Sequence, residues 1–225
     1  MMRVIGNDQN LPRQEHALAS GAITNGKPVI VNTDGTVAVV ASTGGAPSVG
    51  TPVLFRDSDS SYCASAYDTT NNKVVIAYTR TSTGYAVVGT VSGTSISFGS
   101  EAAFESGNSD YHQMAFDPDT GKVVIAYHDQ SNSDYGTAVV GTIDTSDNSI
   151  SFGTPTVFNS STSDYVYITY DSGSDKVVIA FRYAHTSYDG RAVVGTVSGT
   201  SISFGTPAQF TSNDVTYVVA AYDAT

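Results

Sequence analysis

The chain has no tryptophan, a single cysteine, and only ten basic residues against 21 acidic ones. A lone Cys63 excludes an intrachain disulfide and leaves the redox compartment open. The net charge of -11, with lysines and arginines scattered, excludes the clustered cationic footprint that nucleic acid requires, so no nucleic-acid partner is expected. Acidity of this size keeps a β-rich particle soluble. No stretch approaches the roughly 20 apolar residues of a membrane span, and the opening residues lack the apolar core of a secretory signal. No membrane insertion is expected.

Catalytic signatures are missing as well. The sequence holds no GxSxG, no HExxH and no phosphate-cradling glycine loop. Its three glutamates make no site: Glu15 lies near the N-terminus, Glu101 stands where Pro52, Pro155 and Pro207 stand in related segments, and Glu105 aligns with Arg56, Asn159 and Thr211. The paired carboxylates of a glycosidase are not singled out.

What is present is a cassette of about fifty residues that recurs along the chain. KVVIAY at 73–78 and 122–127 and KVVIAF at 176–181 are followed by AVVGT at 86–90, 138–142 and 192–196, then by SISFG at 95–99, 149–153 and 201–205. Phe55, Phe104, Phe158 and Phe210 each stand seven residues before Tyr62, Tyr111, Tyr165 and Tyr217. Each tyrosine stands five residues before a Tyr-Asp or Phe-Asp pair ending in Asp68, Asp117, Asp171 or Asp223. Three of the four lysines, Lys73, Lys122 and Lys176, occupy one slot of the repeat.

Each copy reads as four strands: A from the tyrosine to the aspartate, B the VVIAY run, C AVVGTV, and D the SISFG segment with its TPxxF tail. Strand B is apolar on both faces, which suits a sheet covered on both sides. The fold expected is therefore an all-β propeller of four-stranded blades. Residues 1–22 read as an extended arm, and 23–225 as the propeller. Within it, 23–55 is a degenerate partial copy, 56–104, 105–158 and 159–210 are whole copies, and 211–225 is a closing strand. The degenerate copy has B-, C- and D-like segments at 26–32, 36–42 and 46–55 but no A, whereas 217–223 is an A with no B after it. Four blades with the first closed by the C-terminal strand account for both ends. The competing reading is a piece of a longer array.

A residue found at one slot of every copy is architectural, because one site does not need four equivalents. The aspartates ending strand A are accordingly read as turn caps and not as catalysts or calcium ligands. His112 falls in the apolar column of Cys63, Val166 and Val218 and is read as a satisfied core imidazole. The B-to-C loops differ instead in length and chemistry: TRTSTGY at 79–85, HDQSNSDYGT at 128–137 and RYAHTSYDGR at 182–191. Variable aromatic and charged loops on a rigid scaffold are where binding is placed. The candidate binding residues are Arg80, Tyr85, His128, Asp129, Tyr135, Arg182, Tyr183, His185 and Tyr188. They are expected on one rim with the Ser/Asp-rich D-to-A loops. No catalytic residue, metal ligand or cofactor is assigned.

The cassette KVVIAY…AVVGTVSGTSISFGTPxxF, led by ASGAITNGKPVIVNTDGTVAVV, resembles repeat-bearing fibre, tail and capsid-surface proteins of marine tailed bacteriophages over about residues 20–225. The shortened link Thr33-Asp34-Gly35 departs from the pattern. The resemblance implies a non-enzymatic virion protein at the particle surface, displaying a propeller for decoration or host attachment. Its arm would dock on other virion proteins and its rim would meet a host glycan or protein, with an oligomer admitted. The alternative is a carbohydrate-binding or carbohydrate-cleaving propeller, and a third reading is a purely structural capsid or tail component.

Overall fold

A computed structural model describes residues 18–23, 29–39, 49–56, 59–185 and 187–223. The expected arm up to residue 17, and parts of the degenerate copy at 24–28 and 40–48, lie outside the described residues. The chain divides into two compact units, Met1–Val49 and Gly50–Thr225.

In the first unit, β1 (Val29–Val31) and β2 (Val37–Val39) form an antiparallel hairpin with Ile30 opposite Ala38. The Asp34 carboxylate closes its turn by accepting from the Thr36 N–H at 2.9 Å, and Gly35 supplies the left-handed φ of 79°. Ala19 makes a parallel bridge to Val37.

The second unit consists of three antiparallel meanders, and the structure is all-β with one strongly curled sheet of half-barrel form. Meander 1 is β3 (Ser61–Asp68), β4 (Lys73–Arg80), β5 (Thr83–Ser92), β6 (Ser95–Phe98) and β7 (Ala102–Glu105). Meander 2 is β8 (Ser109–Asp117), β9 (Lys122–Asp129), β10 (Tyr135–Asp144), β11 (Ser149–Phe152) and the first half of β12 (Thr156–Asp171). Meander 3 takes the second half of β12, then β13 (Lys176–Tyr183), β14 (Asp189–Ser198), β15 (Ser201–Phe204) and β16 (Ala208–Thr211). The D segment is two short strands on one partner: β6 pairs the end of β5, and β7 its beginning. Between them the chain bends at Gly99 and its equivalents.

The turns between A and B are closed by the repeated aspartates. Asp68 accepts from the N–H groups of Thr70 and Asn71, both at 2.9 Å, and Asp117 and Asp171 do the same at their turns. A carboxylate that satisfies two turn N–H groups is an architectural part, as its recurrence requires.

Alternation along strands B and C explains the double-sided apolar pattern. Val75, Ala77, Ala86 and Val88 of meander 1 pack on Val123, Ile125, Tyr127, Val139 and Ile150 of meander 2. The opposite face of meander 2, Val124, Ala126, Ala138 and Val140, packs on Val177, Ile179, Phe181, Val193 and Ile202 of meander 3. Each fully buried side chain of this size contributes roughly 1.5–3 kcal/mol.

The anchoring phenylalanines lock one meander to the next. Phe55 lies 5.2 Å from Tyr78 and 6.0 Å from Phe98, Phe104 lies 5.4 Å from Tyr127 and 5.8 Å from Phe152, and Phe158 lies 5.2 Å from Phe181 and 5.8 Å from Phe204. Two glycines make room for this. Gly136 faces the Phe158 ring so closely that a Cβ would sit 2.3 Å from it, and a Cβ on Gly153 would sit 1.8 Å from the Thr200 carbonyl of the next meander.

The expected closing strand is not formed. Residues 212–223 belong to no ladder, and β1 pairs with β2 in a sheet of its own. A strand needs a neighbour to take its N–H and C=O groups, and among the described residues the A pattern of 217–223 has none.

Phe158→Ala should cost about 3–5 kcal/mol in urea unfolding. Gly153→Ala should be similarly damaging because its obstacle is backbone, whereas Gly199→Ala, at φ 61° with open space around it, should cost only about 1–2 kcal/mol. Equal losses for the two glycine variants would contradict close packing at the seam.

Candidate functional site

One end of the meanders gathers the B-to-C and D-to-A loops. Gln130 donates its N–H to the Asn108 carbonyl at 3.0 Å, Ser163 to Asp134 at 3.1 Å, Ala184 to Thr162 at 2.9 Å and Val215 to Tyr188 at 3.0 Å. These bonds tie the variable loops at 128–137 and 182–191 to the D-to-A segments beside them.

A bulge repeats beside them. The β3–β4 register shifts between Ser61 and Ala64, and the same shift occurs at Asp110–Gln113 and Asp164–Tyr167. The tyrosine inside each bulge has a left-handed φ: 52° at Tyr62, 49° at Tyr111 and 48° at Tyr165, with 56° at Tyr217. Such a backbone costs a bulky residue about 1–2 kcal/mol. The rings offset this by forming a column, with centroids 5.8, 5.2 and 4.9 Å apart from Tyr62 through Tyr217. Tyr111, Gln113, Tyr165, Tyr167, Tyr217 and Val219 line an apolar groove of about 250 Å³ along it.

The bulges aim two aspartates at the junction of meanders 2 and 3. His128 is buried, with Nδ1 2.6 Å from Asp110 Oδ1 and Nε2 3.3 Å from Asp134 and 3.9 Å from Asp164. Asp164 also accepts from Arg182 at 2.5 Å, and the Arg182 guanidinium lies 4.6 Å over Tyr165 and 5.1 Å over Tyr188. Burial opposes charge on His128, but the hydrogen bond and charge of Asp110, with Asp164 and Asp134 behind it, outweigh that and raise its pKa. Both carboxylates are thus paired with a cation of their own meander, and His128 joins the two meanders through its approach to Asp164.

The neighbouring cleft, about 460 Å³, is lined by Ser133, Tyr135, Asn159, Ser160, Ser161, Thr162, Tyr183, His185 and Arg191. Arg191 stacks 3.6 Å over the Tyr183 ring. Its Nε donates to buried Asp189 at 2.8 Å, which holds the Asp189 carboxyl below its usual range. The cleft therefore offers one aromatic–guanidinium plate and a rim of hydroxyls and amides, which suits a polyhydroxylated or polar ligand.

The nine candidates separate into groups. Tyr135, Tyr183 and His185 line the cleft, while His128, Arg182 and Tyr188 form the junction beside it. Arg80 and Tyr85 are apart, on meander 1, where Arg80 pairs with Glu101 at 2.9 Å and covers the Tyr85 ring at 4.2 Å. Asp129 is buried and accepts from Asn132 N–H at 3.1 Å and Ser131 Oγ at 2.7 Å, so it caps a 3-10 turn (Gln130–Asn132) and faces no ligand. Sequence reasoning missed Arg191, which replaces Tyr85 and Thr137 in its slot. It also set aside Glu101, which gathers Arg56, Arg80 and the Tyr78 hydroxyl. Among the described residues no group of three or more His, Cys, Asp or Glu is arranged to hold a metal.

His112 is a partnered core residue. Nδ1 lies 3.1 Å from the Tyr62 carbonyl, and Nε2 lies 3.1 Å from Ser109 Oγ and 3.3 Å from Thr79 Oγ1. Burial pushes its pKa down to about 4.

No family of known proteins matches this chain, and no curated protein matches it.

The two histidines predict opposite pH dependences. His112 resists protonation when folded, so its contribution is complete above about 6.5 and about 3 kcal/mol is lost as pH falls toward 4. His112→Val, the residue at this slot in meander 3, should flatten that acid limb in urea unfolding. His128 is favoured protonated, so its contribution is present below about 6.5 and is lost as pH rises through its raised folded value; His128→Asn should remove that alkaline loss. Unchanged pH profiles in both variants would contradict these assignments.

Proposed function

We propose that this chain is a non-enzymatic surface protein of a tailed-phage particle, displaying a β-propeller whose rim cleft attaches to a host glycan or protein. The observation that carries the binding part is the cleft at Tyr135, Tyr183, His185 and Arg191. It is concave and rich in hydroxyl and amide groups, it presents an aromatic plate, and the acidic groups beside it are tied to cations. Tyrosine and arginine are the residue types that concentrate interface energy. The phage part is supported by the recurring phrases that resemble fibre, tail and capsid-surface proteins.

In this reading the meanders are consecutive propeller blades. Strand A with its tyrosine lies inside, and the fourth blade is split between the degenerate copy and residues 217–223. Support comes from the blade-to-blade use of one phenylalanine slot and from the tyrosine column, which continues to Tyr217. The N-terminal arm would dock on other virion proteins.

A second reading, a carbohydrate-cleaving propeller, is favoured only by the approach of Asp110 and Asp164 to one imidazole. Both carboxylates must lose their cation partners before they act as an acid–base pair.

Probing a glycan array with purified protein should give hits that Tyr183→Ala and His185→Ala each weaken at least about tenfold, with melting temperature held within a few degrees. Binding unchanged in both variants would move the site off this cleft. Release of sugar that disappears on changing Asp110 or Asp164 to Asn would replace the proposal with the cleaving alternative.

A further inference from the structure

The guanidinium of Arg191 is held on two sides and open on a third. Its face lies 3.6 Å over the Tyr183 ring. Along one edge, Nε donates to Asp189 Oδ1 at 2.8 Å and Nη2 to Oδ2 at 3.2 Å. Asp189 is itself fixed, because it is buried and also accepts from Ser187 Oγ at 2.7 Å and Gln209 Nε2 at 2.9 Å.

A guanidinium carries five N–H groups. Two are spent on Asp189, and among the described residues the other three, both on Nη1 and one on Nη2, have no partner. They form the outer edge of a planar fork whose spacing matches the two oxygens of a carboxylate. Arg191 lines the cleft of about 460 Å³, and no acidic residue does. Asp134, beside Ser133 and Tyr135 in the chain, is drawn to His128, 3.3 Å from Nε2. A ligand entering the cleft therefore meets a cation whose orientation is already fixed, so little further ordering is needed to bind it.

Meander 1 shows what such a plate takes. Arg80 and Tyr85 occupy the slots of Tyr183 and Arg191 with the two residue types exchanged, and the Arg80 guanidinium lies 4.2 Å over the ring. There Nη1 holds a carboxylate, Glu101, at 2.9 Å. The slot of Glu101 is Pro207 in meander 3, and among the described residues Arg191 pairs with Asp189 alone.

The rest of the wall is uncharged or weakly basic. Ser133, Ser160, Ser161 and Thr162 bring hydroxyls to the cleft, and His185 brings an imidazole. One seat for a carboxylate among groups that exchange hydrogen bonds with hydroxyls matches the functional groups of an acidic sugar. The cleft volume also falls in the usual range for small ligands.

We propose that the cleft selects a saccharide bearing a carboxylate, as a uronic acid does, and seats that group on the Nη1–Nη2 edge of Arg191. This rests on the reading of the cleft as the glycan-attachment site and narrows it to one ligand class.

Carboxyl reduction tests it without altering the protein. The full-length chain is applied to an array of neutral, sulfated and carboxylate-bearing glycans, and each hit is then titrated before and after its carboxylates are reduced to primary alcohols. The expected result is that the hits bear carboxylates and that reduction weakens binding at least about tenfold. Arg191→Gln should weaken the acidic form to the same extent and leave the reduced form as it was, with unchanged circular dichroism. Neutral hits that Tyr183→Ala weakens would keep the cleft as the site and overturn the acidic class. Sulfated hits indifferent to carboxyl reduction would overturn the carboxylate, and acidic hits indifferent to Arg191→Gln would overturn its seat. No hit of any kind would overturn this inference together with glycan attachment. The reduction arm decides the ligand class even where Arg191→Gln does not fold.

Discussion

Each meander of this chain is held by the phenylalanine that its predecessor sends into it. The slot is always built from the last aromatic residue of strand B and the phenylalanine of strand D, with ring separations between 5.2 and 6.0 Å. Everything else follows from keeping that slot open and filled. Glycine at 84, 136 and 190 is required because a side chain there would occupy the space of the ring that the same meander sends out. Small residues, alanine and valine, line the face that the next meander covers, and larger ones, isoleucine and tyrosine, line the face that covers it. The result is an ordered array in which each meander is covered by the ones flanking it.

The same stacking generates the rim. Because strand A is bulged at its tyrosine, the aspartate just before it in meanders 2 and 3 reaches the variable loop of its own meander, Asp110 meeting His128 and Asp164 meeting Arg182. The residue in the same slot of meander 1 is Ser61. The acidic pair meets His128 and Arg182, so the junction of meanders 2 and 3 is ionic where that of meanders 1 and 2 is closed by neutral hydrogen bonds among Thr79, Ser109 and His112. Scaffold conservation within the chain and chemical variation at one end therefore share one structural cause.

The all-β class, the strand order within each copy, the turn-capping aspartates and the two-sided strand B were legible in the sequence, because comparing copies exposes them. The division of strand D at Gly99 and its equivalents was not, since SISFG and the TPxxF tail read as one apolar run. Residues 217–223 spell a strand A but stay unpaired, because pattern specifies a strand's faces and not the presence of a neighbour. At the rim, loop position was legible and partnership was not. Asp129 looks like a ligand group until the 3-10 turn claims it, and the meeting of His128 with Asp110 depends on a register shift that periodicity does not show. The overlooked residues, Glu101 and Arg191, share a usable signal: each departs from the residue type that the other copies place in the same slot.

The central claim, that each meander is stabilised by the ones flanking it, is tested most directly by native-state hydrogen exchange resolved along the chain. Meander 2 has both faces covered, so the account predicts that amides of Val123–Tyr127 and Ala138–Val140 are the slowest to exchange and open only with global unfolding. The equivalent amides of strand C in meander 3, around Val193–Gly195, should exchange faster, because Val194 on the outer face is 48% exposed. Equal protection in all three meanders, or greatest protection in meander 3, would show that each meander is stable by itself and would contradict the account.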